Sequence, residues 1–263
     1  GGIIVSGIGV VLLGEGFPGL GAVAPAALGG LANLLALLTL FKALAIGSMS
    51  IVAPISATYP VVLVVYGLSQ GERPADIQLI GMGLVLAGVL LASYATKQAD
   101  GRPVVAAAPD GAAAGESPPA ARHARRAGVI SLVLAAASAL ANGIALATVS
   151  SVAESSPYWG VVAMRGSALA AIFVFVVVTR QGIGVPAATL PGLLVIGALD
   201  TVGTGLFAVA TTYGYLSVVS VIASLFPIGT IALARLTLGE RILPHQNVGV
   251  AIALSGVALV ALG

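Results

Sequence analysis

Nine long apolar runs separated by short polar breaks limit what this chain can fold into more than any other feature. A spanning helix needs about 20 mostly apolar residues, and the runs lack the apolar/polar alternation of transmembrane barrel strands. With 59% hydrophobic and 8% charged residues, the chain is far less charged than a soluble domain. We therefore predict an all-α polytopic membrane protein in a lipid bilayer, with helices near 1–14, 21–45, 48–68, 76–95, 128–149, 157–178, 190–211, 215–236 and 246–263.

The two halves of the chain match each other. Gly71-Glu72-Arg73 matches Gly239-Glu240-Arg241 at an offset of 168 residues, and Asn33 matches Asp200 at an offset of 167. Self-similarity of this kind indicates a duplicated unit. We predict a first repeat at 1–95, a flexible linker rich in Ala, Pro and Gly at 96–127, and a second repeat at 128–263.

The number of helices in a unit decides how the two units are oriented. The second unit has five predicted helices, and an odd number places the two copies upside down relative to each other, as in many transporters. The same alignment matches Gly1 to Ala168. The first unit is therefore expected to lack its first helix and part of its second in this chain.

Three features occur once in each half: a proline in the fourth helix (Pro60, Pro227), the Gly-Glu-Arg turn followed by Gln and Gly, and a Gly-Val pair near the end of the fifth helix. Together they resemble the EamA family of the drug/metabolite transporter superfamily. The resemblance implies a ten-helix fold with a central cavity, location in a bacterial-type cytoplasmic (inner) membrane, and export of metabolites, amino acids or drugs. It also implies that an arginine recurs at the position of Arg165.

Arg165 and Asp200 are the charged residues expected deep inside helices. Arg165 lies eight residues after Pro157, and Asp200 lies near the middle of the next, antiparallel helix. At 1.5 Å per residue they fall at similar depth, so we expect them to pair. Two interpretations are open: an ion pair that only holds helices together, or a site where Asp200 takes up a proton or cation and Arg165 meets a substrate carboxylate.

Further polar residues are expected near the repeat interface, where transporter sites tend to lie. The sequence nominates Asn33, Thr58, Tyr59 and Thr204 as cavity-lining residues. Pro60 and Pro227 each remove a backbone hydrogen bond inside a helix, which predicts a kink or hinge. Glu72, Arg73, Glu240 and Arg241 are predicted to be structural residues of the turns between helices.

Several functions have no support in the sequence. Cysteine is absent and the two histidines lie in loops without carboxylate partners, so we expect no metal site. Nucleotide-binding and hydrolase motifs are missing, which predicts no enzyme activity and no cofactor. The expected partners are a small-molecule substrate, the bilayer and a coupling proton or cation, without nucleic acid, and small-residue spacing at Gly81 and Gly249 also suits a homodimer.

We predict a secondary transporter that exports small metabolites, amino acids or drugs by alternating access. Two alternatives stay open: a nucleotide-sugar or sugar-phosphate antiporter, which would need more cationic groups than Arg165, and a non-transporting scaffold or truncated paralogue. The distribution of Lys and Arg places the linker side in the cytoplasm. This conflicts with the usual family arrangement, in which both termini are inside.

Overall fold

The computed structural model describes residues 2–47, 49–93, 118–180, 186, 189–226, 228–229 and 244–262. All regular structure in these residues is helical, as the apolar runs predicted. The helices are α1 (Gly2–Leu13), α2 (Leu20–Ile46), α3 (Met49–Ser56), α4 (Tyr59–Ser69), α5 (Asp76–Ser93), α6 (Pro118–Ala153), α7 (Pro157–Thr179), α8 (Leu190–Ala210), α9 (Leu216–Ala223) and α10 (Pro244–Leu262).

The apolar surface of these helices matches a bilayer better than water. Five spans in the described part of the chain are long and apolar enough to cross a membrane. On α7, Phe173 is 70% exposed and Val178 75% exposed, whereas soluble proteins rarely expose large continuous apolar patches. The prediction of a polytopic membrane protein is therefore confirmed.

Helix α6 begins at Pro118, within the range predicted as a linker. The stretch at 118–127 is rich in Ala and Arg, which are strong helix formers, and this explains why the helix continues beyond the apolar run. The rest of the predicted linker, at 96–117, lies outside the described residues.

The chain divides into two compact units. The first unit contains Gly1–Leu35, Leu63–Arg73 and Ala141–Ser220. Its core joins α2, α6, α7 and α8 through the buried residues Val23, Ala26, Val149, Val152, Ala153, Val161, Met164 and Ala208. Small residues let the helices approach closely: a Cβ on Gly30 would overlap the carbonyl oxygen of Met164 and the hydroxyl of Ser167.

The second unit contains Ala36–Val62, Pro74–Leu140 and Val221–Gly263. Here α5 crosses α10 at pairs of glycines. A Cβ on Gly81 would lie 2.7 Å from the carbonyl oxygen of Gly256, and one on Gly88 would lie 2.6 Å from that of Gly249. In the repeat, Gly81 matches Gly249 and Gly88 matches Gly256. Gly81 therefore contacts the counterpart of Gly88, and Gly88 contacts the counterpart of Gly81. Such reciprocity is what an antiparallel two-fold crossing between inverted repeats produces.

Helices α3 and α9 are also equivalent. Each has eight residues, and their bounds differ by 167 at both ends. After α3 the chain forms a turn at Ala57–Thr58 before α4 begins at Tyr59. The turn lies directly before Pro60, the residue predicted to disrupt this helix. Pro227, which was predicted to do the same after α9, lies outside the described residues.

Candidate functional site

The guanidinium of Arg165 projects from α7 towards α8 within the first unit. Its Nη2 atom lies 2.6 Å from the Oδ2 atom of Asp200, so the predicted pairing is confirmed. The two helices are antiparallel neighbours joined by one connection, and residues at similar depth on their facing sides meet. An ion pair inside an apolar bundle is costly unless hydrogen bonds also satisfy it.

Thr204 supplies such a bond, one helical turn after Asp200. Its hydroxyl donates to the carbonyl oxygen of Asp200 at 2.9 Å and accepts a hydrogen bond from Nη2 of Arg165, also at 2.9 Å. The same Nη2 atom also donates to the carbonyl oxygen of Asp200 at 3.5 Å, so all three of these contacts of the guanidinium use one nitrogen. The Nε atom of Arg165 is buried without a hydrogen-bond partner. The guanidinium therefore keeps one N–H donor whose hydrogen-bonding capacity is unused in this structure.

The two members of the ion pair differ in burial. The side chain of Arg165 is 18% exposed and that of Asp200 is 62% exposed. The carboxylate is thus accessible while the cation is largely enclosed by the helices of the first unit.

Asn33, the repeat counterpart of Asp200, has a different neighbour. Its Nδ2 atom donates to the Oδ1 atom of Asn142 on α6 at 3.4 Å. The sequence grouped Asn33 with Arg165 as cavity-lining residues, but the structure pairs it with a second amide instead. Neither side chain of this pair carries a charge.

The remaining nominated residues lie elsewhere. Thr58 and Tyr59 belong to the second unit. The Thr58 hydroxyl donates to the Ile55 carbonyl in the preceding turn at 2.7 Å, and Tyr59 and Pro60 are buried. Glu240 and Arg241 lie outside the described residues.

Glu72 was predicted to stabilise its own turn, and the structure gives it a more distant partner. The backbone N–H of Leu216 donates to its Oε1 atom at 2.6 Å, and that of Ser217 donates to its Oε2 atom at 3.1 Å. These are the first N–H groups of α9, which have no partner within the helix. The carboxylate of Glu72 therefore caps a helix about 144 residues later in the chain.

A polar cavity of about 410 Å³ lies beside Glu72 in the first unit. Its size is in the range of small-molecule sites. Sequence reasoning did not find it, because its lining comes from three separate stretches of the chain. The lining residues are Tyr66, Gly67, Gln70, Glu72, Ser150, Ser151, Glu154, Thr211, Gly214, Tyr215 and Leu216.

Glu15 makes a second contact that sequence reasoning missed. Its carboxylate accepts hydrogen bonds from the backbone N–H groups of Tyr158 and Trp159 at 3.4 and 3.3 Å, at the start of α7. The indole N–H of Trp159 donates to the carbonyl oxygen of Glu15 at 3.2 Å, and Phe17 packs edge-on against the same indole. The available signal was the Gly-Glu pair at a helix end, present at Gly14-Glu15 as well as Gly71-Glu72.

The model of the EamA-like transporter family matches residues 1–94 and 127–262 of this chain. The fold is similar to that of a solved protein crystal structure, with a TM-score of 0.71 and 17% sequence identity, over 99% of this chain and 85% of the other. No curated protein has significant sequence similarity to the chain. The family match covers the segments that hold Arg165, Asp200 and both capping glutamates.

Proposed function

Because this chain belongs to the EamA-like transporter family, and is therefore a membrane transporter, we propose that it exports small metabolites, amino acids or drugs by alternating access, with Asp200 as the site of proton coupling. The observation that carries this proposal is the ion pair between Arg165 and Asp200. A charged pair within a helical bundle in lipid is usually a functional feature.

The geometry of the pair suggests how coupling works. When Asp200 is ionised, it holds Nη2 of Arg165 at 2.6 Å. When the accessible carboxylate takes up a proton, it loses its charge and the cation loses its counter-ion. Arg165 then binds the carboxylate or another acidic group of the substrate, using Nη2 and the unpartnered Nε. When substrate leaves on the other side, Asp200 releases its proton there and the ion pair forms again. Proton and substrate therefore cross together, so export is driven by the outward gradient of the substrate and carries a proton out with it.

Transport by reconstituted protein tests this mechanism. Purified protein in proteoliposomes is screened with amino acids, metabolites and drugs that carry an acidic group, with and without a proton gradient. We expect Asp200→Asn to abolish gradient-driven accumulation and to retain exchange of substrate for substrate, because the amide mimics a permanently protonated carboxylate. Asp76→Asn, which removes an exposed carboxylate at the start of α5, is the matched control and should behave as wild type.

Two results would contradict the proposal. If Asp200→Asn accumulates substrate as wild type does, Asp200 is not the coupling group and the ion pair is structural. If the wild-type protein moves no compound of the panel but exchanges nucleotide sugars, the antiporter alternative replaces the exporter.

A further inference from the structure

Helices α1 and α4 end in the same backbone geometry. Gly14 and Gly71 have positive φ values of 65° and 93°. In each case the glycine N–H donates to the carbonyl three residues earlier, and the following glutamate N–H donates to the carbonyl five residues earlier. This is the Schellman motif, in which a left-handed residue, usually glycine, reverses the chain at the helix end.

The motif determines where the glutamate points. The residue after the left-handed glycine folds back over the last turn of its own helix. For Glu72 the space is provided by Gly67, because a Cβ on Gly67 would lie 2.6 Å from the carboxylate carbon of Glu72. The carboxylate is thus held over the end of α4 and directed at the start of α9.

Both carboxylates join the first family-matched segment to the second. Glu15 binds the start of α7, and Glu72 binds the start of α9. Both contacts lie at one end of the first unit, since the end of α6 lines the cavity beside Glu72 with Ser151 and Glu154, and α7 begins directly after it. We name these contacts the Glu15 latch and the Glu72 latch.

The capped helix ends depend on these carboxylates. Ser156 at the N-cap of α7 makes no side-chain capping bond, and Pro157 has no N–H, so Glu15 supplies the acceptors for the next two N–H groups. A carboxylate is also favoured there by the helix dipole. Both glutamates are only half-buried, so water can replace them when they leave.

We propose that the two latches hold this end of the transporter closed, and that both must open when substrate passes there. The inference rests on the proposed alternating-access function. Because all residues of both latches belong to the first unit, opening there requires the end of α1 to move away from the start of α7, and the end of α4 from the start of α9, within that unit. Glu15 and Glu72 are positioning residues in this proposal, since neither needs to contact substrate. A neutral side chain at either position favours the state open at this end.

The Glu72 latch is tested by cysteine labelling, for which the sequence offers a cysteine-free background. Ser150→Cys places a thiol in the cavity wall, and its rate of reaction with a membrane-impermeant maleimide is measured in detergent and in vesicles. We expect Glu72→Gln to raise that rate about tenfold, as the loss of a charge-assisted hydrogen bond would. Glu154→Gln removes a carboxylate from the same cavity without touching a helix start, and should leave the rate unchanged.

A second cysteine, Ala45→Cys in the last turn of α2, distinguishes opening of one end of the transporter from loosening of the whole protein. Alternating access predicts that Glu72→Gln leaves labelling of Ala45→Cys unchanged or lowers it. If Glu72→Gln raises labelling equally at both reporters, the latch is only a structural cap and the proposal is wrong. The same conclusion follows if the rate at Ser150→Cys does not change.

Removing the donor instead of the acceptor provides an independent variant. Leu216→Pro deletes the N–H that binds Glu72 at 2.6 Å, and proline is well tolerated in the first turn of a helix. Leu216→Ala keeps the N–H and removes the same packing. We expect faster labelling of Ser150→Cys with proline than with alanine, and equal rates would overturn the Glu72 latch.

The Glu15 latch has its own natural probe, because Trp159 is the single tryptophan of the chain. Glu15→Gln should shift the emission of Trp159 to longer wavelength and raise its quenching by iodide, whereas Glu154→Gln should not. Unchanged emission would contradict the Glu15 latch. None of these measurements needs a substrate, so a failure of the Asp200 mechanism and a failure of the latches are distinguishable.

Discussion

Adding one methyl group at Gly88 should weaken the crossing of α5 and α10. A Cβ at this position would lie 2.6 Å from the carbonyl oxygen of Gly249 and 2.8 Å from the Cα atom of Ala253. The backbone nitrogen of Ala253 would be closer still. Non-bonded contacts of carbon begin near 3.5 Å, so the helices must separate by roughly 1 Å. Because all three opposing atoms belong to the backbone, no side chain can rotate away.

The structure gives the magnitude of this effect and its control. Overpacking of a tight contact costs about 1–3 kcal/mol, and a gap of this size also weakens the dispersion contacts along the crossing. Gly83→Ala on the same helix is the matched control, because its Cβ would meet no atom within 4 Å. We expect that control to change the free energy of unfolding by less than about 0.5 kcal/mol.

Unfolding of the purified protein by SDS in mixed micelles, followed by circular dichroism, measures the difference. Gly88→Ala should unfold at a lower SDS fraction than Gly83→Ala. The double variant Gly88→Ala with Gly249→Ala should lose less than the sum of its single variants, since the first methyl already separates the helices. Equal midpoints for Gly88→Ala and Gly83→Ala would refute the packing argument.

Two further predictions concern the first unit. Thr204→Val removes the hydroxyl that accepts from Arg165, and should cost about 1–2 kcal/mol of unfolding free energy in the same assay. Thr201→Val, which removes only a bond to Gly197 of its own helix, should cost less. Gly30→Ala should destabilise the packing of α2 on α7 and lower the yield of folded protein in size-exclusion chromatography, whereas Gly21→Ala, with open space around its Cβ, should not.

The sequence was sufficient to predict the helices and the charged pair. Apolar runs specify helices in lipid because backbone groups must be satisfied within each segment. Arg165 and Asp200 could be paired because a short connection and a fixed rise per residue determine the depth of both. The structure then gave the distance of 2.6 Å and the role of Thr204.

The caps and the cavity were beyond sequence reasoning for a physical reason. A Schellman end is local, so Gly14-Glu15 and Gly71-Glu72 carry a readable signal for where a helix stops. The helix start that each carboxylate reaches is far along the chain, and no periodicity indicates it. Asn33 is a further example. The repeat alignment predicted that it is equivalent to Asp200, but it did not predict the hydrogen bond to Asn142.

The positions where the two segments still agree differ physically from those where they have diverged. Gly81, Gly88, Gly249 and Gly256 meet across one two-fold crossing, so a larger side chain at any of them would push both helices apart. Asn33 and Asp200 have separate partners, Asn142 and Arg165, so either can change without the other. Symmetric contacts therefore maintain the fold, while positions outside them are free to acquire charge in one half alone. Asp200 carries a carboxylate where the first segment has the neutral Asn33, which is consistent with a transporter whose two ends perform different steps.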